Sequence, residues 1–167
     1  TLIEKPNVLR ETGGLMTHCF RDVAKGYPDI WADEVNIDAI CMWMFKNPQD
    51  YSVLVAENMF GDIVSDLCAG LVGGLGFAPS ANLGDNYAVF EPTHGSAPKY
   101  AGQYKVNPIA MLLTAKLMFD WLKESDMATR LESAIARVIK EGKARTYDMG
   151  GNASTLDVAN TVADYAG

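Results

Sequence analysis

The chain is poor in cysteine. Its three, Cys19, Cys41 and Cys68, are odd in number and scattered, which argues against a disulfide framework and against a zinc site. Each lies in an apolar stretch, so they read as small core residues kept reduced, in the cytoplasm or, in a eukaryote, the mitochondrial matrix. Basic runs are missing too. Lys and Arg total 14 against 21 Asp and Glu, a net charge of −7, so no nucleic acid is expected as a partner. No apolar run reaches bilayer length and no signal peptide is visible, which leaves no membrane role. Repeats and low-complexity linkers are absent. Methionine is missing at position 1, and Thr1-Leu2-Ile3 already reads as a strand in progress, so the sequence reads as a piece cut from a longer protein.

What is present is a globular composition. Apolar residues make up 49% and charged residues 21%, enough for a real core at this length. Residues 1–5 read as a strand. Leu15, Met16, Cys19, Phe20 and Val23 have helical spacing over 11–25, and Tyr27-Pro28-Asp29 closes that helix. A strand over 30–35, a helix over 37–45, a buried strand at 51–56 and a helix over 59–72 follow. Residues 73–83 read as a glycine-rich turn, 87–90 as a strand and 91–106 as an ordered loop. Two amphipathic helices span 108–122 and 126–142. A turn at 145–152 precedes a last helix over 154–165, capped by Ser154 or Thr155. Strands alternate with helices, so the class is α/β.

The informative stretch is 57–107. Asp62 and Asp66 lie four apart in an apolar segment, which stacks both carboxylates on one helix face. Two readings compete. Acids in a first helical turn complement the dipole. Alternatively, like charges at this spacing repel unless a cation sits between them, and hard carboxylate oxygens suit Mg²⁺ or Mn²⁺. Asp38, before an apolar helix, is either its cap or a third ligand. Lys5, at a strand end, is either a solvated side chain or, beside a metal, a proton carrier. Thr93-His94-Gly95-Ser96-Ala97-Pro98 is a compact polar loop. His94 either organises it or approaches a nucleotide, with Gly95 admitting a phosphate and Ser96 donating to it. Gly70, Gly73, Gly74 and Gly76 follow a helix rather than a strand, so they form no dinucleotide fingerprint and read as a tight turn. Met42, Trp43, Met44 and Phe45 are core or a subunit interface.

Several motifs are long and unusual: NMFGDIVSDLCAGLVGGLGFAPSANLGD, EPTHGSAPKYAG, KVNP, the opening EKPN and the closing TYDMGGNAST. Together they resemble the isocitrate and isopropylmalate dehydrogenases, metal-dependent β-decarboxylating oxidoreductases, over nearly the whole chain. The resemblance implies that family's fold, a large and a small α/β domain, with this chain as the C-terminal half. Residues 1–35 would end the small, dimer-forming domain, and 36–167 would be the second segment of the large one. It implies Asp62 and Asp66 as metal ligands, Asp38 as the third, supplied by the neighbouring subunit of a homodimer, and Lys5 as the catalytic lysine, also supplied across the dimer. Asn7 would lie toward the nicotinamide. His94, Gly95, Ser96, Ala97, Pro98, Lys99 and Tyr100 would wrap the adenosine half of the cofactor, with Asn107 reading adenine and Tyr147 at the same end. The implied cofactors are Mg²⁺ or Mn²⁺ with NAD or NADP.

The implied substrate is a small 2-hydroxy tricarboxylate or dicarboxylate. PKYAGQ and KVNP are most similar to the isocitrate branch, with isopropylmalate, homoisocitrate and tartrate as alternatives. The cofactor signals conflict. NAD-using relatives carry an acid where Lys99 stands, while NADP-using ones carry an arginine where Gly151 stands. A tyrosine, a serine and arginines of the family would precede Thr1, so the chain alone is expected to be inactive. A non-catalytic regulatory subunit of the same fold is the rival reading, disfavoured because Lys5, Asp38, Asp62 and Asp66 are all retained. A free-standing Ca²⁺ or dimerisation module is weaker still, since three aspartates are few for that ion.

Overall fold

A computed structural model describes residues 1–167. Its class is α/β, in two compact units, Thr1–Leu71 and Val72–Gly167.

The first unit is built on three short parallel strands in the order β2-β1-β3: β1 (Leu2–Glu4), β2 (Glu34–Asn36) and β3 (Val55–Ala56). β1 is central and fully buried, as expected of a strand covered on both faces. Helix α1 (Arg10–Ala24) links β1 to β2, α2 (Ile37–Lys46) follows β2 directly, and α3 (Asn58–Leu71) follows β3. Ile3, Ile40, Phe60 and Val64 form the core, flanked by Leu9, Val35, Ile37, Met44, Tyr51, Leu54, Ala56 and Cys68.

Four expectations change here. The strand over 51–56 shortens to Val55–Ala56, and Val53 and Val55 are exposed. Its β-branched run is an edge, not a buried centre. The strand over 30–35 begins only at Glu34, and Ile30 and Trp31 stay exposed. On α1, Leu15 and Val23 face outward while Gly13 and Thr17 are the buried positions, because the helix packs through its small residues. Cys19 is exposed and Cys41 and Cys68 are half-buried, so only Cys68 packs against the core. Met42, Trp43 and Phe45 are exposed, and only Met44 reaches the core.

The second unit carries an antiparallel hairpin, β4 (Pro79–Leu83) with β5 (Ala88–Pro92), and three helices: α4 (Ile109–Trp121), α5 (Ser125–Glu141) and α6 (Thr155–Ala166). The segment expected to be wholly a turn, 73–83, therefore ends in a strand. The turn itself is real: Gly73 and Gly74 have φ of +116° and +110°, conformations glycine adopts without penalty. Helix α4 packs on α5 and on both strands of the hairpin, so it is apolar nearly all round rather than one-faced. Ile109, Ala134, Ile135, Val138, Ala144, Val158 and Val162 form the core. Ile109 is fully buried, and truncating such a residue to Ala costs about 2–5 kcal/mol. Ser154 caps α6 in a reciprocal capping box with Asp157, a device worth about 1 kcal/mol.

Candidate functional site

Helix α3 begins at Asn58, and its first turn contains no acid. Asp62 and Asp66 thus lie beyond the reach of the dipole, which fades within that turn. They sit one turn apart on an exposed face, opposite the buried Phe60, Val64 and Ala69. No Lys, Arg or His pairs with either. Two uncompensated carboxylates stacked on one face are a ready pair of hard oxygen donors.

Asp38 is not the cap of α2. That position is Asn36, and Asp38 stands in the first turn. Its carboxylate accepts a hydrogen bond from Lys5 Nζ. That bond, with help from its own backbone N–H and that of Ala39, holds its pKa below the usual carboxylate range. The β1–β2 register makes the meeting possible: Glu4 is opposite Asn36, so Lys5 leaves the strand end beside the start of α2. Lys5 is mostly buried, its side chain 21% exposed. Asn7 lies in the exposed turn after it, where Val8 and Leu9 both donate to the Lys5 carbonyl. No group of three metal-ligating side chains assembles within the chain. The acids divide instead into a free pair on α3 and one already neutralised by Lys5.

The second unit holds a cleft of about 400 Å³ lined by Gly73, Gly74, Leu75, Gly76, His94, Gly95, Ala97, Tyr100, Val106, Asn107, Tyr147 and Asp148. His94 Nδ1 donates to the Gly95 carbonyl at 2.8 Å, which fixes the ring in the loop. Ala97 takes a left-handed backbone, φ +44°, and turns the chain into the short helical turn Pro98–Tyr100. Ser96, Pro98 and Lys99 are exposed beside the cleft without lining it. Asn107 is buried. It accepts from Ile109 N–H at 3.0 Å, satisfying a free amide at the start of α4, and donates to Asp148 at 3.0 Å.

At the mouth of the cleft Tyr100 and Tyr147 stack with ring centroids 5.6 Å apart. Lys99 lies 4.8 Å from the Tyr100 ring, and Lys105 lies 5.2 Å and 5.1 Å from the two rings. The Tyr147 hydroxyl bonded to Tyr100, with both lysines near, lowers the Tyr100 pKa. The result is a cationic, aromatic rim on a cleft that also presents His94, Asn107 and Asp148.

Sequence reasoning passed over Asp148 and the glycines of the 73–76 turn as cleft residues, and Lys105 beside its tyrosines. A Cβ on Gly76 would lie 2.9 Å from Asp148 and 3.1 Å from Asn107, so the turn reading of these glycines holds and they also floor the cleft. Asp148 gave one signal, its place beside Tyr147. Its anchoring by Thr146 Oγ1 at 2.5 Å and by Asn107 is visible only in three dimensions.

The pattern of the family described as isocitrate/isopropylmalate dehydrogenase matches residues 1–162. The chain belongs to this family. It is 50% identical over 163 residues to 3-isopropylmalate dehydrogenase of Archaeoglobus fulgidus, covering 98% of this chain and 50% of the relative. It is 48% identical over 164 residues to isocitrate dehydrogenase [NAD] catalytic subunit 5, mitochondrial, of Arabidopsis thaliana, covering 98% and 44%. The crystal structure of isocitrate dehydrogenase from Methylococcus capsulatus superposes with a TM-score of 0.92 at 41% identity, over 99% of this chain and 49% of that one. The chain therefore spans half or less of the relatives it matches. No helix is long and apolar enough to cross a membrane.

Proposed function

We propose that the chain is the C-terminal part of an oxidative decarboxylase that converts isocitrate to 2-oxoglutarate with hydride transfer to a nicotinamide dinucleotide. Residues 1–35 belong on this reading to the small dimer-forming domain and 36–167 to the large one. The observation that carries it is the state of the aspartates. Asp62 and Asp66 are stacked, exposed and unpaired, and Asp38 is held on Lys5. In a homodimer, Asp62 and Asp66 of one subunit and Asp38 with Lys5 of the other complete one site.

The donor set is all carboxylate, which fits Mg²⁺ or Mn²⁺. Such an ion, when bound, supplies Lewis-acid stabilisation of oxyanion charge worth several kcal/mol. As the neutral amine, Lys5 takes the proton of the 2-hydroxyl while hydride leaves the carbinol carbon for the nicotinamide. Asp38 aims the amine and compensates the charge of the ammonium so formed. Carbon dioxide then departs from the β-carboxylate, and the enolate left behind is reprotonated.

The cleft of the second unit takes the adenosine half of the dinucleotide, with the Asn107 amide and the His94 imidazole toward the base and ribose. The cofactor is NAD or NADP: Lys99 favours NADP, and the resemblance to an NAD-linked relative favours NAD. Lys99 stands where an acid would bind ribose hydroxyls and repel a phosphate. A Cβ at Gly151 would lie 2.2 Å from the Arg145 carbonyl, so the arginine of NADP-using relatives does not fit there, which favours NAD. The test is kcat/KM of the full-length enzyme with isocitrate and with isopropylmalate, each with NAD and NADP. Isocitrate is expected to exceed isopropylmalate with either cofactor, and the larger of the NAD and NADP values identifies the cofactor. A higher value with isopropylmalate would overturn the substrate.

A further inference from the structure

Beneath Lys5 lies an acid that the chemistry above does not use. Glu4, the last residue of β1, is 2% exposed. Its Oε2 accepts the Lys5 backbone N–H at 2.8 Å. Its Oε1 is buried with no hydrogen-bond donor, a costly state for a carboxylate. Helix α1 makes room for this group: a Cβ on Gly13 would lie 2.5 Å from Glu4 Oε2.

The neighbour strand supplies a second acid. Leu2 pairs with Val55 and Ile3 with Ala56, so the next step of that register sets Glu57 beside Glu4, on the same face at the strand spacing of about 4.8 Å. No cation neutralises either acid. Lys5 is committed to Asp38, and Glu34 on the other neighbour strand is held by Arg21 at 2.5 Å. The remaining ionisable groups on the helices packed around β1, including Arg10 and Glu11 on α1, Asp38 on α2 and Asp62 on α3, form no ion pair with Glu4 or Glu57. Two carboxylates that close, one of them sealed from water, do not both ionise readily.

We propose that Glu57 keeps its proton and donates it to Glu4 Oε1, and that this carboxylic acid–carboxylate pair is the positioning device that fixes the strand end carrying Lys5. The bond gives the orphaned oxygen its donor. It leaves one negative charge, on Glu4, facing the Lys5 amide. Glu57's pKa is raised, first by its hydrogen bond to Glu4 and then by burial, in agreement with the register and the orphaned atom. A carboxyl held protonated in the fold stabilises it below the unfolded-state pKa. That contribution fades as pH rises through the folded-state value. The role assigned to Lys5 rests on the functional reading above. The carboxyl pair itself does not.

The pair is tested by infrared spectroscopy at neutral pH on the intact protein, with E57Q and E57A beside it, and by their thermal midpoints and kcat against pH. The expected result is a protonated-carboxyl band in wild type that is lost in both variants. E57Q, whose amide also donates to Glu4, keeps the midpoint and kcat and flattens their fall at high pH. E57A lowers the midpoint by about 2–8 °C and kcat by about 10- to 100-fold. A missing band, or E57Q behaving like E57A, overturns the pair. Turnover that survives in K5M overturns the role of Lys5, and with it the positioning claim, even where the band is present.

Discussion

Asn107 donates to Asp148 across 41 residues of chain, at 3.0 Å, and the same amide accepts from the first residue of α4. One buried side chain thus ties the start of α4 to the 145–152 turn and shapes the cleft floor between them. Removing it breaks two bonds in a buried setting, where an unsatisfied partner costs about 1–3 kcal/mol. N107A is therefore expected to destabilise the protein by about that amount, measured by denaturant unfolding, and to weaken dinucleotide binding measured by fluorescence titration. Unchanged stability would show that the bridge does not hold the cleft.

The rim of the cleft predicts cofactor choice. Lys99 and Lys105 ring the Tyr100–Tyr147 stack, and either cation can pair with a 2′-phosphate. In K99D the ratio of kcat/KM for NADP over NAD is expected to fall by about 10- to 100-fold, the scale of losing one charged hydrogen bond and gaining a repulsion. An unmoved ratio would place cofactor discrimination elsewhere.

The stacked aspartates predict metal dependence. D62N and D66N each remove a charged oxygen donor, so Mg²⁺ or Mn²⁺ affinity, by calorimetry on the full-length protein, is expected to drop by more than the about 10- to 100-fold typical of an outer-shell change. Variants that bind the ion as wild type does would return Asp62 and Asp66 to a merely solvated face.

Acid stability has a local source. Arg137, Lys143 and the Tyr165 hydroxyl all donate to Glu141 and lower its pKa to about 2. A depressed carboxylate stabilises the fold above its unfolded value and loses that contribution as pH falls through the folded one. Between about pH 4.5 and 2, wild type is expected to lose stability more steeply than E141Q. Because the cluster is exposed, the difference is small and shrinks with salt. Parallel acid-unfolding curves would assign acid denaturation to other carboxylates.

Much of this structure was legible in the sequence where periodicity is strong. α1, α2, α3, α5 and α6 appear within a residue or two of their expected bounds, and Ser154 caps α6 as its position suggested. β4 was hidden because Pro79 and a glycine cluster mask a strand that pairs only with β5. The exposed Leu15, Trp31, Phe45 and Val53 defeat a rule that sends apolar residues inward, since burial depends on what packs against each face. The motifs pointed to Lys5, Asp38, Asp62 and Asp66, but not to the states of their side chains. The Lys5–Asp38 bond needs the parallel register of β1 and β2, and the orphaned Glu4 oxygen needs the packing of α1. Neither leaves a mark in spacing along the chain.

The central claim is that each site draws Asp62 and Asp66 from one subunit and Lys5 with Asp38 from the other. Subunit exchange between full-length K5M and full-length D62N/D66N, each inactive alone, tests it most directly. The mixture is expected to regain about a quarter of wild-type activity, since half of randomly exchanged two-fold dimers are mixed and each mixed dimer holds one intact site of two. No activity after verified exchange, or substantial activity in either parent, would contradict it.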